Sequence, residues 1–280
     1  MSTLKVGILL VAITAIFLLI GRAIGGTSGM VIALIVAIAM NIGSYWFSDK
    51  LVIAMTGAQP VAPGSAPELE EMITRLASRA GLPTPRLYVV DDPSPNAFAT
   101  GRSPDKGVVA VNTGLLRLLN QEEVEGVVAH ELAHIKHRDT LTMAIVASIA
   151  GAIMLLANFA RIAALFGFGG SRDGEGESPL VMLVIALVAP LAAVAVQMGI
   201  SRAREFEADR LGAEIAGSPR GLANALSKLE RGVQAIPGHT PPQAAHMCIV
   251  NPFGGVGSML SNLFRSHPPT DQRIARLMGR

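Results

Sequence analysis

Val127-Val128-Ala129-His130-Glu131-Leu132-Ala133-His134-Ile135-Lys136-His137 is the stretch on which the reading of this chain turns. It contains His-Glu-x-x-His, and on a helix residues four apart share a face. Two imidazoles one turn apart can grip one metal ion, while Glu131 leans over the open side to take a proton from a bound water. The residues from Glu125 to Ala133 are mostly apolar and contain no proline, so a helix is a sound premise. An ordinary amphipathic helix with surface histidines would carry the same five letters, so the rest of the chain must decide between the two.

Half of the 280 residues are hydrophobic and only 16% are charged, giving a mean hydropathy of +0.46. That is too apolar for an ordinary soluble domain and too charged for a pure membrane bundle, so membrane spans plus one globular part are expected. The net charge of +2 is spread along the chain, with two tyrosines and one tryptophan for stacking, which argues against a nucleic-acid partner. Cys248 is the only cysteine, so no intramolecular disulfide can form and a metal must be held by histidine and carboxylate.

Four apolar runs organise the sequence. Residues 6–20 and 30–47 flank Gly25-Gly26-Thr27-Ser28-Gly29, and Tyr45-Trp46-Phe47 followed by Asp49-Lys50 resembles an interfacial aromatic belt. A cleaved signal peptide is disfavoured because no small-x-small site precedes polar sequence. The expectation is a transmembrane hairpin over 1–50. Residues 141–160 and 179–200 form a second hairpin within 141–200, joined by the polar, glycine-rich loop 169–178. The third run follows the His-Glu-x-x-His helix so closely that it reads as a direct continuation of it. The fold class expected is therefore a mainly α membrane protein: four transmembrane helices plus a zincin-like α+β catalytic domain with a small β-sheet. The domain's first part is 51–140 and its second 201–280.

Within the first part, Ser65-Ala66-Pro67-Glu68 reads as a helix start with Ser65 as N-cap, and Leu69, Met72, Ile73 and Leu76 form its apolar stripe up to Gly81. Leu87–Val90 and Gly107–Asn112 are strand candidates, and Asn96-Ala97-Phe98-Ala99 is a third, giving a sheet of two or three strands. Asn120, with Glu123 three residues on, can cap the metal-bearing helix.

Catalytic zinc takes three protein ligands and leaves a position for water. Two spans between His134 and Ser201 return the chain to the side it left. Residues after 200 therefore share a compartment with His130. Ser201-Arg202-Ala203-Arg204-Glu205-Phe206-Glu207-Ala208-Asp209 arrives there directly. On a helix Glu205 and Asp209 share a face and Glu207 points away. One of the pair would bind metal and the other would hydrogen-bond a ligand histidine; spacing leaves open which. His137, three residues after His134, brackets no glutamate and reads as structural.

The His130-Glu131-Leu132-Ala133-His134 and Ser201–Asp209 motifs resemble those of the HtpX-type membrane zinc metalloproteases of bacteria, relatives of CAAX prenyl endopeptidases and Oma-type mitochondrial proteases. Pro95-Asn96-Ala97-Phe98-Ala99-Thr100-Gly101, Asn251-Pro252-Phe253 and His267-Pro268-Pro269 followed by Arg273-Ile274 extend the resemblance. It implies one Zn2+ per subunit on His130, His134 and Glu205, with Glu131 as general base. It also implies Asp209 as the carboxylate behind a ligand histidine and His267 as an oxyanion donor. The implied setting is the bacterial inner membrane, multi-pass, with the active site facing the cytoplasm. The implied role is proteolysis of misfolded or damaged membrane proteins, with the lipid bilayer as a further partner and a homo-oligomer left open. Lys5 and Arg22 flank the first span about equally, so charge alone does not orient the chain. Asn96, Ala97, Phe98 and Ala99 could hold a substrate by strand addition. A zinc protease for lipidated or prenylated peptides shares every ligand, and a catalytically silent membrane zinc scaffold would have no use for Glu131.

Overall fold

The computed structural model describes residues 2–145, 202–236, 248–250 and 268–279. The expected third and fourth spans, from residue 146 onward, and His267 lie outside them.

Helix α1, Ser2–Thr56, is helical along its whole length but is not a single rod. Asn41 Nδ2 donates to Thr14 Oγ1 at 3.0 Å, whereas 27 residues of straight helix would separate the two by about 40 Å. The chain therefore doubles back between them. Gly26, at φ +59, is the one residue of α1 in left-handed backbone, a conformation glycine adopts without steric cost. Among the described residues one stretch, Gly26–Phe47, is long and apolar enough to cross a bilayer, judged by length and composition.

After α1 come strand β1 (Gln59–Pro60) and helix α2 (Pro67–Ala80). Strands β2 (Arg86–Val90), β3 (Ala97–Thr100) and β4 (Val108–Asn112) follow. The sheet has four strands in the order β1-β2-β4-β3, one more than expected, because two residues of the proline-rich connector pair antiparallel with β2. β2 and β4 run parallel, and β3 pairs antiparallel with β4 as an edge strand.

Two features of α2 separate pattern from structure. Its apolar stripe is buried as expected, and Gly81 ends it at φ 68. The N-terminus, however, is capped from inside. Ser65 does not cap it; the Glu70 carboxylate accepts from the Gly64 and Ala66 amides at 3.0 and 3.1 Å, which holds its pKa low. A longer acidic side chain in the first turn reaches the free amides that the serine does not.

Helices α3 (Thr113–Leu118) and α4 (Gln121–Lys136) complete the first part. α4 opens on the expected capping box between Asn120 and Glu123 and is buried on nearly every face from Val124 to Ile135. It does not continue into the next segment. The chain turns at His137–Arg138, with Arg138 at φ 58, and becomes helical again at residue 139. The second part supplies α5 (Arg202–Ala216), α6 (Arg220–Ala235) and α7 (Thr270–Leu277).

One apolar cluster joins both parts: Ile73 and Leu76 of α2, Val109 and Val111 of β4, Val128 and Leu132 of α4, Ala208 and Ile215 of α5, Leu222 and Leu226 of α6. The other face of the sheet meets the end of α1, where Val52 packs with Phe98, Ala110 and Ala144. Helices α4 and α6 cross at backbone contact. A Cβ on Gly126 would lie 2.4 Å from the Leu222 amide nitrogen and 2.8 Å from the Gly221 carbonyl carbon. Neither atom can rotate away, so Gly126→Ala is expected to destabilise the domain by about 1–3 kcal/mol, read as a lowered melting temperature of the detergent-purified protein.

Candidate metal centre

α4 carries His130 and His134 one turn apart on the same buried face, exposed 0% and 3%. Their Nε2 atoms face each other at 3.2 Å. α5 crosses α4 at this point, since a Cβ on Gly212 would meet the His130 Cα at 2.9 Å. That close crossing brings Glu205, one turn into α5, to the same spot. Its Oε2 lies 3.8 Å from His130 Nε2 and its Oε1 3.7 Å from His134 Nε2. The ligand atoms of His130, His134 and Glu205 all fall within 4.8 Å of one another. Bonds of about 2.0–2.2 Å around a tetrahedral ion space its ligand atoms by about 3.3–3.6 Å, so the nitrogens already match and the carboxylate needs to close only slightly. The surface-histidine alternative is excluded by burial.

The opposite edges of the two rings are also engaged. His130 Nδ1 lies 3.0 Å from Asp209 Oδ1, close in distance though off the line of the ring N–H. Asp209 is gripped in turn by Arg273 of α7, with Nε donating to Oδ2 at 2.9 Å and Nη2 to Oδ1 at 2.7 Å. Arg273 is 1% exposed, and its Nη1 donates to the Ile249 carbonyl at 2.8 Å. His134 Nδ1 lies 3.3 Å from Asp139 Oδ2, and Arg204 of α5 donates to Asp139 Oδ1. Neither Asp139 nor the two arginines was singled out from the sequence. Arg273 sits in a motif quoted above with no role attached, and its i, i+4 spacing from Leu277 signals only an amphipathic helix.

Burial and charge set the protonation states. Burial pushes His130 down to about 4 despite Asp209. For His134 burial works downward too, but Glu205, then Asp139 and Glu131, outweigh it and hold the ring up to about 9. The facing nitrogens thus carry one proton, on His134. Glu131 is pushed up to about 7 by burial and by Glu205. Asp209 stays ionised: burial opposes its charge, but Arg273 and His130 more than compensate and hold it well below the usual carboxylate range. Four carboxylates (Glu131, Asp139, Glu205, Asp209) and two guanidiniums (Arg204, Arg273) converge here. With both imidazoles neutral and Glu131 ionised, as metal binding would require, the formal excess is two negative charges, the complement of one divalent cation.

Glu131 follows His130 and lies toward β3, where the Ala99 N–H stands near enough to favour its charged form. Asn96 O accepts from Asn112 N and Phe98 is registered with Ala110. The alternation of an antiparallel ladder then turns the Ala97 and Ala99 backbone groups outward, and among the described residues no strand pairs with that edge. Phe98 packs to the opposite side, against Val52 and Ala144. The Asn96 side chain is held by the chain itself: Oδ1 accepts from the Ile249 amide and Nδ2 donates to Cys248 Sγ, both at 3.2 Å. Glu207, as expected, is on the exposed side of α5, paired with Arg210.

A buried His-Glu-x-x-His helix met by a glutamate from a second helix, over a mixed sheet with a free edge, defines a metal-dependent peptidase architecture. The chain matches peptidase family M48 over residues 63–280. The "Protease HtpX homolog" of Paraburkholderia phytofirmans is 52% identical over 279 residues, spanning 98% of this chain and 95% of that one. The protein of the same name from Burkholderia mallei is 52% identical over 277 residues, with the same two shares. Among solved structures, S. mikatae Ste24p shares the fold at a TM-score of 0.52 and 21% identity, covering 95% of this chain and 62% of its own. The chain belongs to peptidase family M48 and is a metalloprotease of the HtpX type.

A metal ion held by His134 would displace the proton on that ring, so uptake should release a proton at pH 7. With a ring pKa of about 9, apparent affinity should climb by about tenfold per unit from pH 7 to 9 and level off above. Calorimetric titration of the metal into stripped protein, in buffers of differing ionisation enthalpy, measures both effects.

Proposed function

We propose that this protein is a membrane-embedded zinc endopeptidase that cleaves misfolded or damaged membrane proteins, with His130, His134 and Glu205 as its metal ligands. The observation that carries the reading is the convergence of those three side chains in a buried, charge-complementary site, with Glu131 held beside a free strand edge. Two imidazoles and one carboxylate, with no thiolate, form a donor set of catalytic zinc peptidases. Bound there, zinc would act as a Lewis acid toward a peptide carbonyl and lower the pKa of a water toward about 7.

The chain's own residues do the rest. Glu131, with a pKa pushed up to about 7, is matched to accept a proton from the attacking water and to hand it to the leaving amine. The Ala99 N–H stands beside that carboxylate. Asp209 and Arg273 hold the His130 ring in one orientation. His267 is the proposed donor to the developing oxyanion. A substrate in extended form would pair with the outward backbone groups of Ala97 and with the Ala99 carbonyl, the Ala99 amide being turned to Glu131. Backbone pairing reads no side chains, which suits a protease of many unfolded substrates. The apolar Gly26–Phe47 stretch, the chain reversal before it and the uncharged runs at 141–160 and 179–200 support a multi-pass chain. The family resemblance supports the bacterial inner membrane with a cytoplasmic site.

Three measurements test this. Detergent-purified protein should hydrolyse unfolded casein, lose that activity to a chelator and regain it with zinc; activity confined to a lipidated peptide would point to the narrower protease. Glu131→Gln should keep its zinc yet lose at least about a thousandfold in kcat/KM, and wild-type cleavage by it would refute the base. The membrane assignment requires that the protein resist extraction from membranes by carbonate and yield only to detergent.

A further inference from the structure

Each of the two histidines is supported from behind by an aspartate that an arginine grips. For His130 the chain of contacts runs through Asp209 to Arg273. For His134 it runs through Asp139 to Arg204, and nothing in the sequence pattern or the family match assigns this second set. We propose that Asp139, held by Arg204, is the positioning residue that fixes His134 for metal binding. The inference rests on His134 being a metal ligand.

The geometry is specific. Asp139 is 1% exposed, and its two oxygens are divided between two partners: Oδ2 lies 3.3 Å from His134 Nδ1 and Oδ1 accepts from Arg204. A carboxylate facing Nδ1 selects the tautomer that leaves the Nε2 lone pair free toward the metal, and it stops the ring from flipping. Asp139 stands five residues after His134. On an unbroken helix it would point about 140° away from that ring. The turn at His137–Arg138, with Arg138 in left-handed backbone at φ 58, folds the chain back so that Asp139 meets the histidine. A non-glycine residue in that conformation is uncommon and costs free energy, a burden that clusters at functional positions. The ion pair also joins the two edges of the interval between α4 and α5, since Arg204 directly precedes Glu205. It thereby ties the element bearing two proposed ligands to the element bearing the third.

Arg204 reaches His134 through its ion pair with Asp139, so the effects of the two substitutions on zinc affinity should be non-additive. Zinc affinity of the full-length, detergent-purified protein, measured by chelator competition, should weaken about 10–100-fold in Asp139→Ala. Asp139→Asn keeps the size and an acceptor but drops the charge, so its loss should be smaller. Arg204→Ala should weaken zinc by several-fold in the wild-type background and by nothing further in Asp139→Ala. In the cobalt(II)-loaded protein the visible bands should shift in both Asp139 variants. A purely structural aspartate would lower the melting temperature without moving either readout. Glu207→Ala, exposed on the same helix, should match wild type.

Asp139→Ala and Asp139→Asn binding zinc within twofold of wild type would overturn the proposal, as would an Arg204→Ala effect that adds in full to Asp139→Ala. If Asp139→Ala fails to fold, Asp139→Asn and Arg204→Ala carry the same test. Wild-type protein that takes up no zinc would overturn the metal reading itself, an outcome distinct from loss of the Asp139 effect alone.

Discussion

Two imidazole nitrogens facing each other at 3.2 Å inside an apolar core set the constraint to which the rest of the structure answers. Each ring has lost its water, and the two lone pairs repel unless a cation or proton stands between them. Everything nearby supplies negative charge to make that cation welcome: Glu205 from α5, Glu131 from α4 itself, Asp209 and Asp139 behind the rings. The two aspartates are buried too, so they need partners of their own, and Arg273 and Arg204 provide them. Removing one member of such a buried set leaves an unpaired charge, at a cost of about 3–5 kcal/mol. The site is therefore a cooperative unit drawn from four separate segments of chain.

Holding those segments within a few tenths of an ångström requires backbone, not side chains, at the crossings. Gly212 lets α5 lie against His130, and Gly126 lets α6 lie against the preceding turn of α4. A methyl group at Gly212 would have to push α5 off His130 by about the 0.5 Å margin that site geometry tolerates. This explains why α4 is buried on nearly every face from Val124 to Ile135 and lacks the one-sided pattern of a surface helix.

Much of this was legible from spacing. His130 and His134 are four apart, Glu205 and Asp209 are four apart, and both pairs do share buried faces. The Asn120–Glu123 cap was equally local. What stayed hidden depended on a break in regular geometry or on a contact far along the chain. Asp139 is out of phase with His134 on any continuous helix, and the left-handed Arg138 that corrects the phase is invisible to periodicity. Arg273 meets Asp209 across 64 positions of sequence, and an arginine on a short amphipathic helix resembles any solvated cation. β1 escaped because Gln59-Pro60 has neither length nor strand propensity; it pairs only because β2 offers an edge.

The placement of β3 links these features. Its inner neighbour in the ladder is β4, one side of the sheet carries α4, and the other side packs on the end of α1. Phe98 points to α1, while the Ala99 amide points to Glu131. Consecutive residues of one strand thus touch both the apolar N-terminal helix and the proposed base, which ties the distance between them to a single peptide unit. A shift of α1 against the sheet could not leave Phe98 in place and Ala99 undisturbed. The edge on which an extended substrate would lie is therefore mechanically continuous with the N-terminal helix. Small alanines at 97 and 99 keep the strand close to α4 without a side chain forcing it away.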